Sequence, residues 1–322
     1  MSANSKIEWT DTTWNPLAGC TPVSEGCRNC YAANHARRLA GNPNPKVSGP
    51  YEGTARTAGD GRAVFTGRVN LIPERLEEPL RWRKPRRVFV NAMSDLFHPD
   101  VPLEFVDRVF AVMALCPQHT FQVLTKRPER MAEYFLPIGQ TNRSDWVWAE
   151  MGRRLNRSRL AYPKWPLPNV WLGTSVENQA AADERIPHLL RCPAAVRFLS
   201  CEPLLGPVGL RPWLRHAHIR TDMATGKDYR YPAPIHWLIA GGESGRGARP
   251  CDVAWLRSLR DQCAAAGVPY FLKQMGADPG YTGAGGPGTH SPIRLLLRDP
   301  KGGDPEEWPH DLRVREFPEP RP

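Results

Sequence analysis

Short apolar segments that alternate with helical patterns are the feature of this sequence that most limits its fold. Six segments rich in Val, Phe, Ile and Trp have the length of buried strands: residues 87–91, 120–125, 170–174, 196–200, 236–240 and 269–272. Helical patterns lie between several of them, at residues 103–115, 128–135, 180–190 and 252–265. Strand alternating with helix gives right-handed βαβ units and a parallel sheet. With a further strand at residues 9–16, we expect an α/β fold of six or seven βα units, a complete or partial parallel (β/α) barrel.

Three stretches interrupt this alternation, and we predict that they are ordered loop insertions at residues 41–66, 137–168 and 206–233. The first is rich in Gly, Pro and Thr. The second carries Trp146, Trp148 and Trp165 among arginines, and the third carries aromatic residues such as Tyr231 among basic ones. We expect one barrel domain over residues 1–275 and a Gly/Pro-rich C-terminal extension over 276–322 that packs poorly.

The composition indicates a cytoplasmic protein without a membrane partner. No apolar run approaches the roughly 20 residues that a membrane-spanning helix needs, and the first seven residues lack the apolar core of a signal peptide. The formal net charge is +10, and 35 of the 43 cationic residues are arginine. Guanidinium groups suit phosphate, so this excess allows a nucleic-acid or nucleotide partner. A genome rich in G and C accounts for it equally well.

Polar and charged residues follow each predicted strand, where the loops of a parallel α/β fold converge on one cavity. Turn chemistry alone accounts for the Ser, Asn and Gly residues there. It accounts less well for acids and lysines directly after apolar runs, because their charges would face one another. We therefore interpret these strand ends as a ligand site, with these members: Asn91, Ser94, Asp95, Thr125, Lys126, Ser175, Glu177, Asn178, Cys201, Glu202, Gly241, Gly242, Glu243, Ser244, Lys273 and Gln274.

Three cysteines within eleven residues, Cys20, Cys27 and Cys30, are the sharpest local signal. In a reducing compartment such a cluster indicates metal binding rather than disulfides. One option is a structural zinc ion completed by a histidine such as His35. The other is a four-iron cluster with one iron left open for a small molecule. Zinc ribbons usually carry two Cys-x-x-Cys pairs and this loop has one, so the polar strand ends favour the open iron.

This loop resembles the cluster loop of radical S-adenosylmethionine enzymes, above all the branch around spore photoproduct lyase. The motifs that carry the resemblance are Asn15-Pro16, Gly19-Cys20, Cys27-Arg28-Asn29-Cys30-Tyr31-Ala32, Ser94-Asp95, Leu124-Thr125-Lys126, Thr174-Ser175-Val176 and Glu202-Pro203. The chain is more similar still to a phage- and bacterium-borne family of unassigned function with the same three-cysteine loop. Two departures stand out. Six residues rather than three separate the first two cysteines, and Asn29 replaces the usual aromatic residue beside the adenine.

The resemblance implies two cofactors, a [4Fe-4S] cluster and S-adenosyl-L-methionine, and the formation of a 5′-deoxyadenosyl radical. Cys20, Cys27 and Cys30 would ligate the cluster, and Asp95 with Ser94 would meet the amino group of the methionine moiety. The remaining members of the implied cofactor site are Lys126, Ser175, Glu177, Asn178, Glu202, Gly241, Gly242 and Glu243. Ser175, Glu177 and Asn178 would serve the carboxylate and ribose side.

Cys201 follows a strand, and its thiol could return a hydrogen atom to a substrate radical; otherwise it is a small buried hydrophobe. The enzyme would be a lyase or a transferase with an electron donor, acting on nucleic acid or a nucleotide, or working with a protein partner. The alternative function is a metal-stabilised module that binds nucleic acid or protein without catalysis. Its working surface would be the second insertion, where four arginines accompany the tryptophans: Arg153, Arg154, Arg157 and Arg159.

Overall fold

A computed structural model describes residues 5–136, 142–155, 162–214, 219–221, 228–230, 235–281 and 293–319. Seven strands form one sheet in the order β1-β2-β3-β4-β5-β6-β7. Each pair with a determined register is parallel: β1 with β2, β2 with β3, β3 with β4, β5 with β6, and β6 with β7. The strands are β1 (Thr12–Trp14), β2 (Arg87–Val90), β3 (Thr120–Thr125), β4 (Val170–Ser175), β5 (Val196–Cys201), β6 (Trp237–Gly241) and β7 (Tyr270–Gln274).

Six longer helices accompany the sheet: α1 (Tyr31–Ala40), α2 (Leu103–Ala114), α3 (Pro128–Tyr134), α4 (Arg143–Leu155), α5 (Gln179–Arg191) and α6 (Val253–Ala266). Helix α2 buries Phe105, Val109 and Met113 along one face, the spacing of an amphipathic helix. Helix α6 begins where Asp252 Oδ1 accepts from the Ala254 N–H and ends at Gly267 with φ of 66°. Both ends follow the usual capping chemistry.

The predicted strand and helix positions are confirmed, because buried apolar segments and helical periodicity are both strong signals. All strands pair in parallel and alternate with helices, which gives a mixed α/β fold with the sheet of a partial parallel barrel. Within the described residues, β1 and β7 end the strand order and do not pair with each other, so a complete barrel is not formed.

The chain divides into two compact units, and the first holds the described residues up to 174 together with 192–195. In this unit, the insertion at 41–66 forms a short helix (Pro45–Ser48) and an antiparallel pair of strands (Ala55–Thr57 and Ala63–Phe65). These elements pack on α1, and Tyr51 and Phe65 are buried there. Residues 41–66 therefore add packed secondary structure to this unit.

The second unit holds residues 175–191 and the described residues from 196 to 319. Its C-terminal part differs in part from the expectation of poor packing: the stretch from Trp308 to Phe317 packs on the sheet, whereas Ile293 and Leu296 stay exposed. Trp308 is 3% exposed and Leu312 is fully buried. Arg315 bridges antiparallel to Phe271 of β7, and the Trp237 indole donates to the Glu316 carbonyl at 2.9 Å. The extension pairs with a sheet edge that would otherwise be open. Its Gly/Pro-rich composition did not indicate this pairing.

Shorter elements complete the described parts of the chain: strands Leu17–Ala18, Asn70–Leu71, Ile219–Thr221, Asp228–Arg230, Cys251–Asp252, Pro279–Tyr281 and Ile293–Arg294, and helix Arg211–Leu214. Parts of the second and third insertions lie outside the described residues, as do Arg157, Arg159 and Tyr231. Among the helices that are described, none has the length and apolar character needed to cross a membrane. The predicted domain boundary at residue 275 stays a prediction.

Candidate functional site

The loop that carries the three cysteines is fixed to the turn that follows β2. The Gly19 N–H donates to the Met93 carbonyl at 3.2 Å, and the Ser94 hydroxyl donates to the Leu17 carbonyl at 3.1 Å. Gly19 has φ of 93°, and a Cβ there would collide with the Arg68 carbonyl, so only glycine fits. Ser94, predicted to meet a cofactor amino group, therefore holds the start of the cysteine loop.

The same turn also holds the far end of the loop and the strand before it. The Tyr31 hydroxyl, one residue after Cys30, donates to the Ala92 carbonyl at 2.9 Å. Asn15 Oδ1 accepts from the Met93 N–H at 3.1 Å. Residues on both sides of the cysteine loop thus bond to one four-residue turn at the carboxyl end of β2, which fixes the two ends of the loop.

The three thiols are half-buried neighbours that influence one another's charge. Burial, together with the charge of Asp95, raises the pKa of Cys20 to about 12, although the Arg127 guanidinium opposes both. Burial also raises the pKa of Cys30, against the backbone N–H groups of Ala33 and Ala32 at the start of α1. Cys30 raises the pKa of Cys20, and Cys27 raises that of Cys30. The arrangement supplies three sulfur ligands of the kind that iron–sulfur clusters and zinc both take.

The thiols are not gathered around a common point. In the described part of the chain, no three His, Cys, Asp or Glu side chains are arranged to hold a metal ion. His35, the predicted fourth ligand of a zinc site, is exposed on α1 and contacts Arg38 Nη2 through Nδ1 at 3.2 Å. The donor chemistry of the loop therefore fits a metal centre, and the thiols would have to move together to bind one.

Asp95 lies at the centre of a dense hydrogen-bond network beside this loop. Its Oδ1 accepts from the Thr125 hydroxyl at 2.7 Å and from the Phe97 N–H at 3.0 Å. Its Oδ2 accepts from the Lys126 N–H at 3.1 Å and from Arg127 Nη1 at 3.0 Å. Four donors use the acceptor capacity of a carboxylate. The structure thus gives Asp95 a second role besides the predicted cofactor contact, which is to hold Arg127 in place.

Arg127 is a site residue that sequence reasoning missed. Its Nη1 also donates to Cys20 Sγ at 3.6 Å, and its Nη2 donates to the Thr21 carbonyl at 2.7 Å. The guanidinium therefore bridges the carboxylate of Asp95 and the first cysteine. Its position directly after Lys126, at the end of β3, is the signal that could have pointed to it.

His98 is a second site residue that the sequence did not single out. It is buried, and its Nδ1 accepts from the Asp100 N–H at 3.2 Å. Nε2 therefore carries the proton and donates to the Thr21 hydroxyl at 2.7 Å. Burial lowers the pKa of His98, and the nearby Arg127 lowers it further, so the neutral ring is favoured. It fixes the residue after Cys20.

Two side chains of this unit keep polar groups that the described residues do not use. The Lys126 ammonium has no hydrogen bond or ion pair with any described residue, and its charge lowers the pKa of Cys30. Asn91 is 2% exposed with φ of 61°, and neither its Oδ1 nor its Nδ2 has a described partner. An unpartnered buried polar group lowers the free energy of unfolding by about 1–3 kcal/mol, so the Asn91 side chain is unfavourable for folding.

In the second unit, the predicted acids at the strand ends are ion-paired. Glu177 and Arg185 are 1% and 4% exposed, and two bonds of 2.8 and 3.2 Å join them. Arg185 also donates to the Ser175 carbonyl at 3.0 Å. Asn178 Oδ1 accepts from the Ala181 N–H at 2.9 Å and so caps α5. These contacts give each of the three predicted residues a structural role.

Glu202 and Glu243 are paired in the same way. Lys273 Nζ donates to Glu202 Oε1 at 2.5 Å, and Arg249 Nη2 donates to Glu243 Oε1 at 2.6 Å. A Cβ on Gly242 would collide with the Met275 carbonyl, and one on Gly241 would lie 3.2 Å from the Gln274 carbonyl. The Gly-Gly turn is therefore explained by close packing on β7 and does not require a ligand.

Cys201 is the last residue of β5 and is fully buried. Burial raises the pKa of its thiol, and Cys263 and Glu177 raise it further. Both observations favour a small buried hydrophobe over a hydrogen-atom donor, and its catalytic role stays a prediction.

The arginines of the second insertion that are described are also paired. Arg153 bonds to Glu150 at 2.9 Å, and Arg154 bonds to Glu77 at 2.8 Å and to Glu150 at 3.1 Å. Trp165 packs near Phe110 and Phe135. Trp146 stays exposed. This surface thus offers fewer unpaired cations to phosphate than its sequence suggested.

Comparison with known proteins gives one family. No curated protein and no solved structure shows a significant match to the chain. A family model matches residues 4–284, a range that includes the cysteine loop and all seven strands of the sheet. The chain therefore belongs to the family described as protein of unknown function (DUF5131).

Proposed function

We propose that this protein is a radical S-adenosylmethionine enzyme, a lyase or a transferase. The observation that carries the proposal is the cysteine loop, whose three half-buried thiols lie between two loop ends that are both bonded to the turn after β2. Lys126 has no ion pair among the described residues, and its charge lowers the pKa of Cys30. A structural zinc ion would need the thiols but not this ammonium.

Cys20, Cys27 and Cys30 are the residues that would hold the [4Fe-4S] cluster. Three thiolates leave one iron open, and when bound, the cluster supplies the electron that cleaves S-adenosylmethionine to a 5′-deoxyadenosyl radical. The Ala32 and Ala33 N–H groups stabilise the Cys30 thiolate. Arg127 does the same for Cys20 by hydrogen bond and by charge. Such contacts to ligating sulfurs tune the reduction potential of a cluster.

The cofactor's methionine moiety carries a carboxylate, and Lys126 is the residue that we assign to it. A charged donor without a partner suits an anion, and a charge-assisted bond of this kind is among the stronger ones. Asp95 acts as a positioning residue, because its carboxylate orients both the Lys126 backbone and Arg127. The working enzyme needs reduced thiols and an electron donor, which assigns it to the cytoplasm.

We assign nucleic acid or a nucleotide as the substrate, on the charge around the cysteine loop. Residues 28–68 contain seven cationic and two acidic residues. Arg28, Lys46 and Arg56 are exposed there and have no ion pair with described residues. Binding to single-stranded DNA should weaken steeply with salt. The change of these three residues to Gln should flatten that slope by a few units. A slope that survives would favour a protein substrate, with Arg153→Gln/Arg154→Gln as the matched control.

Formation of 5′-deoxyadenosine tests the catalytic proposal. Reduced, anaerobically prepared protein should release it from S-adenosylmethionine even without substrate. Cys20→Ala, Cys27→Ala and Cys30→Ala should each abolish the product, whereas Cys116→Ala, at a buried thiol outside the loop, should retain it. Product formed equally by all four variants would overturn the assignment.

A further inference from the structure

Asn91 is the strongest unexplained feature of the cysteine-loop region. It directly follows β2 and has φ of 61°, a conformation that residues other than glycine seldom adopt. Its side chain is buried, yet neither amide atom has a partner among the described residues. Strained backbone and unpaired buried polar atoms each cost stability, and both tend to occur at functional sites.

The position of Asn91 connects it to the cysteines. It is the first residue of the turn that bonds to Asn15, Leu17, Gly19 and Tyr31. Its own N–H donates to the Trp14 carbonyl at 2.8 Å, and its carbonyl accepts from the Ser94 N–H at 3.2 Å. The backbone of Asn91 is therefore held on both sides, and its buried amide side chain is the part of the residue whose hydrogen-bonding capacity the described residues do not use.

A carboxamide presents a donor, Nδ2, next to an acceptor, Oδ1. Its best partner is a neutral edge with an acceptor next to a donor, and asparagine pairs with adenine in this way. A carboxylate or phosphate would use the donor alone and leave Oδ1 unpaired. We infer that Asn91 is a ligand-binding residue that recognises the hydrogen-bonding edge of a nucleobase. The inference rests on the proposed function, which offers two sources of this edge: the adenine of the cofactor and a base of the substrate.

A conformational role is the competing explanation. Asparagine tolerates the left-handed region better than most residues, so it could be present for its backbone alone. Glycine adopts the same conformation at no steric cost but has no amide. Asn91→Gly therefore separates the two explanations, since it preserves the backbone and removes the hydrogen-bonding group. Because the amide makes no bond to described residues, we expect the variant to fold and to melt close to the wild-type temperature.

The experiment measures calorimetric binding of two probes to anaerobically prepared, iron-loaded protein. The probes are S-adenosylhomocysteine and its analogue with hypoxanthine in place of adenine, which reverses the donor at position 6. Wild type should bind the adenine probe about tenfold more tightly, the scale of one or two good hydrogen bonds. Asn91→Gly should bind both probes equally.

A third probe, a short single-stranded oligonucleotide of mixed sequence, separates the two sources. If Asn91→Gly keeps the adenine preference but binds the oligonucleotide about tenfold more weakly, Asn91 recognises a base of the substrate. If neither probe series changes, the inference is wrong and the role is conformational. If the variant fails to fold, the wild-type measurements test the inference alone. Wild-type protein that binds both homocysteine probes equally and does not bind the oligonucleotide overturns it.

The proposed function fails in a different way. Wild-type protein that takes up no iron during anaerobic preparation and does not bind S-adenosylhomocysteine would overturn the proposed function, and the Asn91 inference with it. Iron-loaded wild type that binds the probe without a base preference overturns the Asn91 inference alone, provided that oligonucleotide binding is also unaffected by Asn91→Gly.

Discussion

The polar strand ends of the two units look alike in the sequence and differ in the structure. In the second unit, Glu177, Glu202 and Glu243 each have a cationic partner within the unit. In the first unit, Asp95 is also paired. The three thiols, the Lys126 ammonium and the Asn91 amide, however, keep binding capacity that the described residues do not use. A charged strand end is therefore weak evidence for a ligand site, whereas an unused polar group is stronger evidence.

The ion pairs of the second unit also show that residues which stabilise the fold differ from residues which can bind a ligand. A buried ion pair with good geometry holds a fold together and resists removal of either partner. An ammonium or amide without a partner contributes little to folding and can be replaced at low cost. Variants in the two units should thus move different quantities, the free energy of unfolding in one and ligand affinity in the other.

The largest expected effect on stability lies in the second unit. Arg185→Met leaves the carboxylate of Glu177 buried without its partner, and we expect the free energy of unfolding to fall by about 3–5 kcal/mol. Urea denaturation measures it. The matched double variant Glu177→Gln/Arg185→Met should recover part of the loss. A cost below 1 kcal/mol for the single variant would mean that the pair is not a structural element and would weaken the comparison.

Lys126→Met should have the opposite profile in the first unit. The affinity for S-adenosylhomocysteine should fall by about 1.5–3 kcal/mol, the value of a hydrogen bond to a charged group. Stability should change by less than about 1 kcal/mol, because the half-buried ammonium has no ion pair with a described residue to lose. Calorimetric binding and urea denaturation of the same sample measure both. Unchanged affinity would remove Lys126 from the site.

Arg127→Gln should have a smaller effect, on the electronic properties of the site. The loss of a cation and a hydrogen bond beside Cys20 should make the reduction potential of the cluster more negative, while iron content stays unchanged. Arg127→Lys keeps the charge and should restore part of the shift. Redox titration followed by visible absorption gives the potentials. Equal potentials in all three proteins would show that Arg127 serves only the loop.

The smallest effect concerns a surface pair of the second unit. Arg257 and Arg260 lower the pKa of Asp311, which is 42% exposed, so the pair stabilises the folded chain by about 0.2–1 kcal/mol. Because the folded pKa is the lower one, this stability is present above pH 4 and is lost as the pH falls further. Urea midpoints at pH 7 and pH 3 should show a smaller advantage over Asp311→Asn at pH 3 than at pH 7. A pH-independent difference would contradict this.

Apolar segments and their spacing predicted the sheet, because local pattern decides where strands form. The packed extension was missed because Trp308 and Leu312 are isolated apolar residues in a Gly/Pro-rich stretch. The partners of Asp95 and Glu177 were missed for another reason. Arg127 lies 32 residues from Asp95, and Arg185 lies eight residues from Glu177 on the next helix, so only the fold shows that they pair.

The unused groups of the first unit resisted prediction in the same way. A sequence can mark Cys20, Cys27 and Cys30 by spacing and Lys126 by its place after a strand, but it does not show which polar atoms find a partner. Asn91 illustrates the point, because its positive φ and its unpaired amide are properties of the folded turn. The candidate site was therefore predicted in its residues more than in their roles.

Iron and sulfide analysis of anaerobically purified protein decides whether the cysteine loop holds an iron–sulfur cluster. We expect about four irons and four sulfides per chain, with broad visible absorption that Cys20→Ala, Cys27→Ala and Cys30→Ala each abolish and Cys116→Ala retains. Stoichiometric zinc without iron in the same preparations would contradict it. The cysteine loop would then be a structural metal site, and the protein a binding module without radical chemistry.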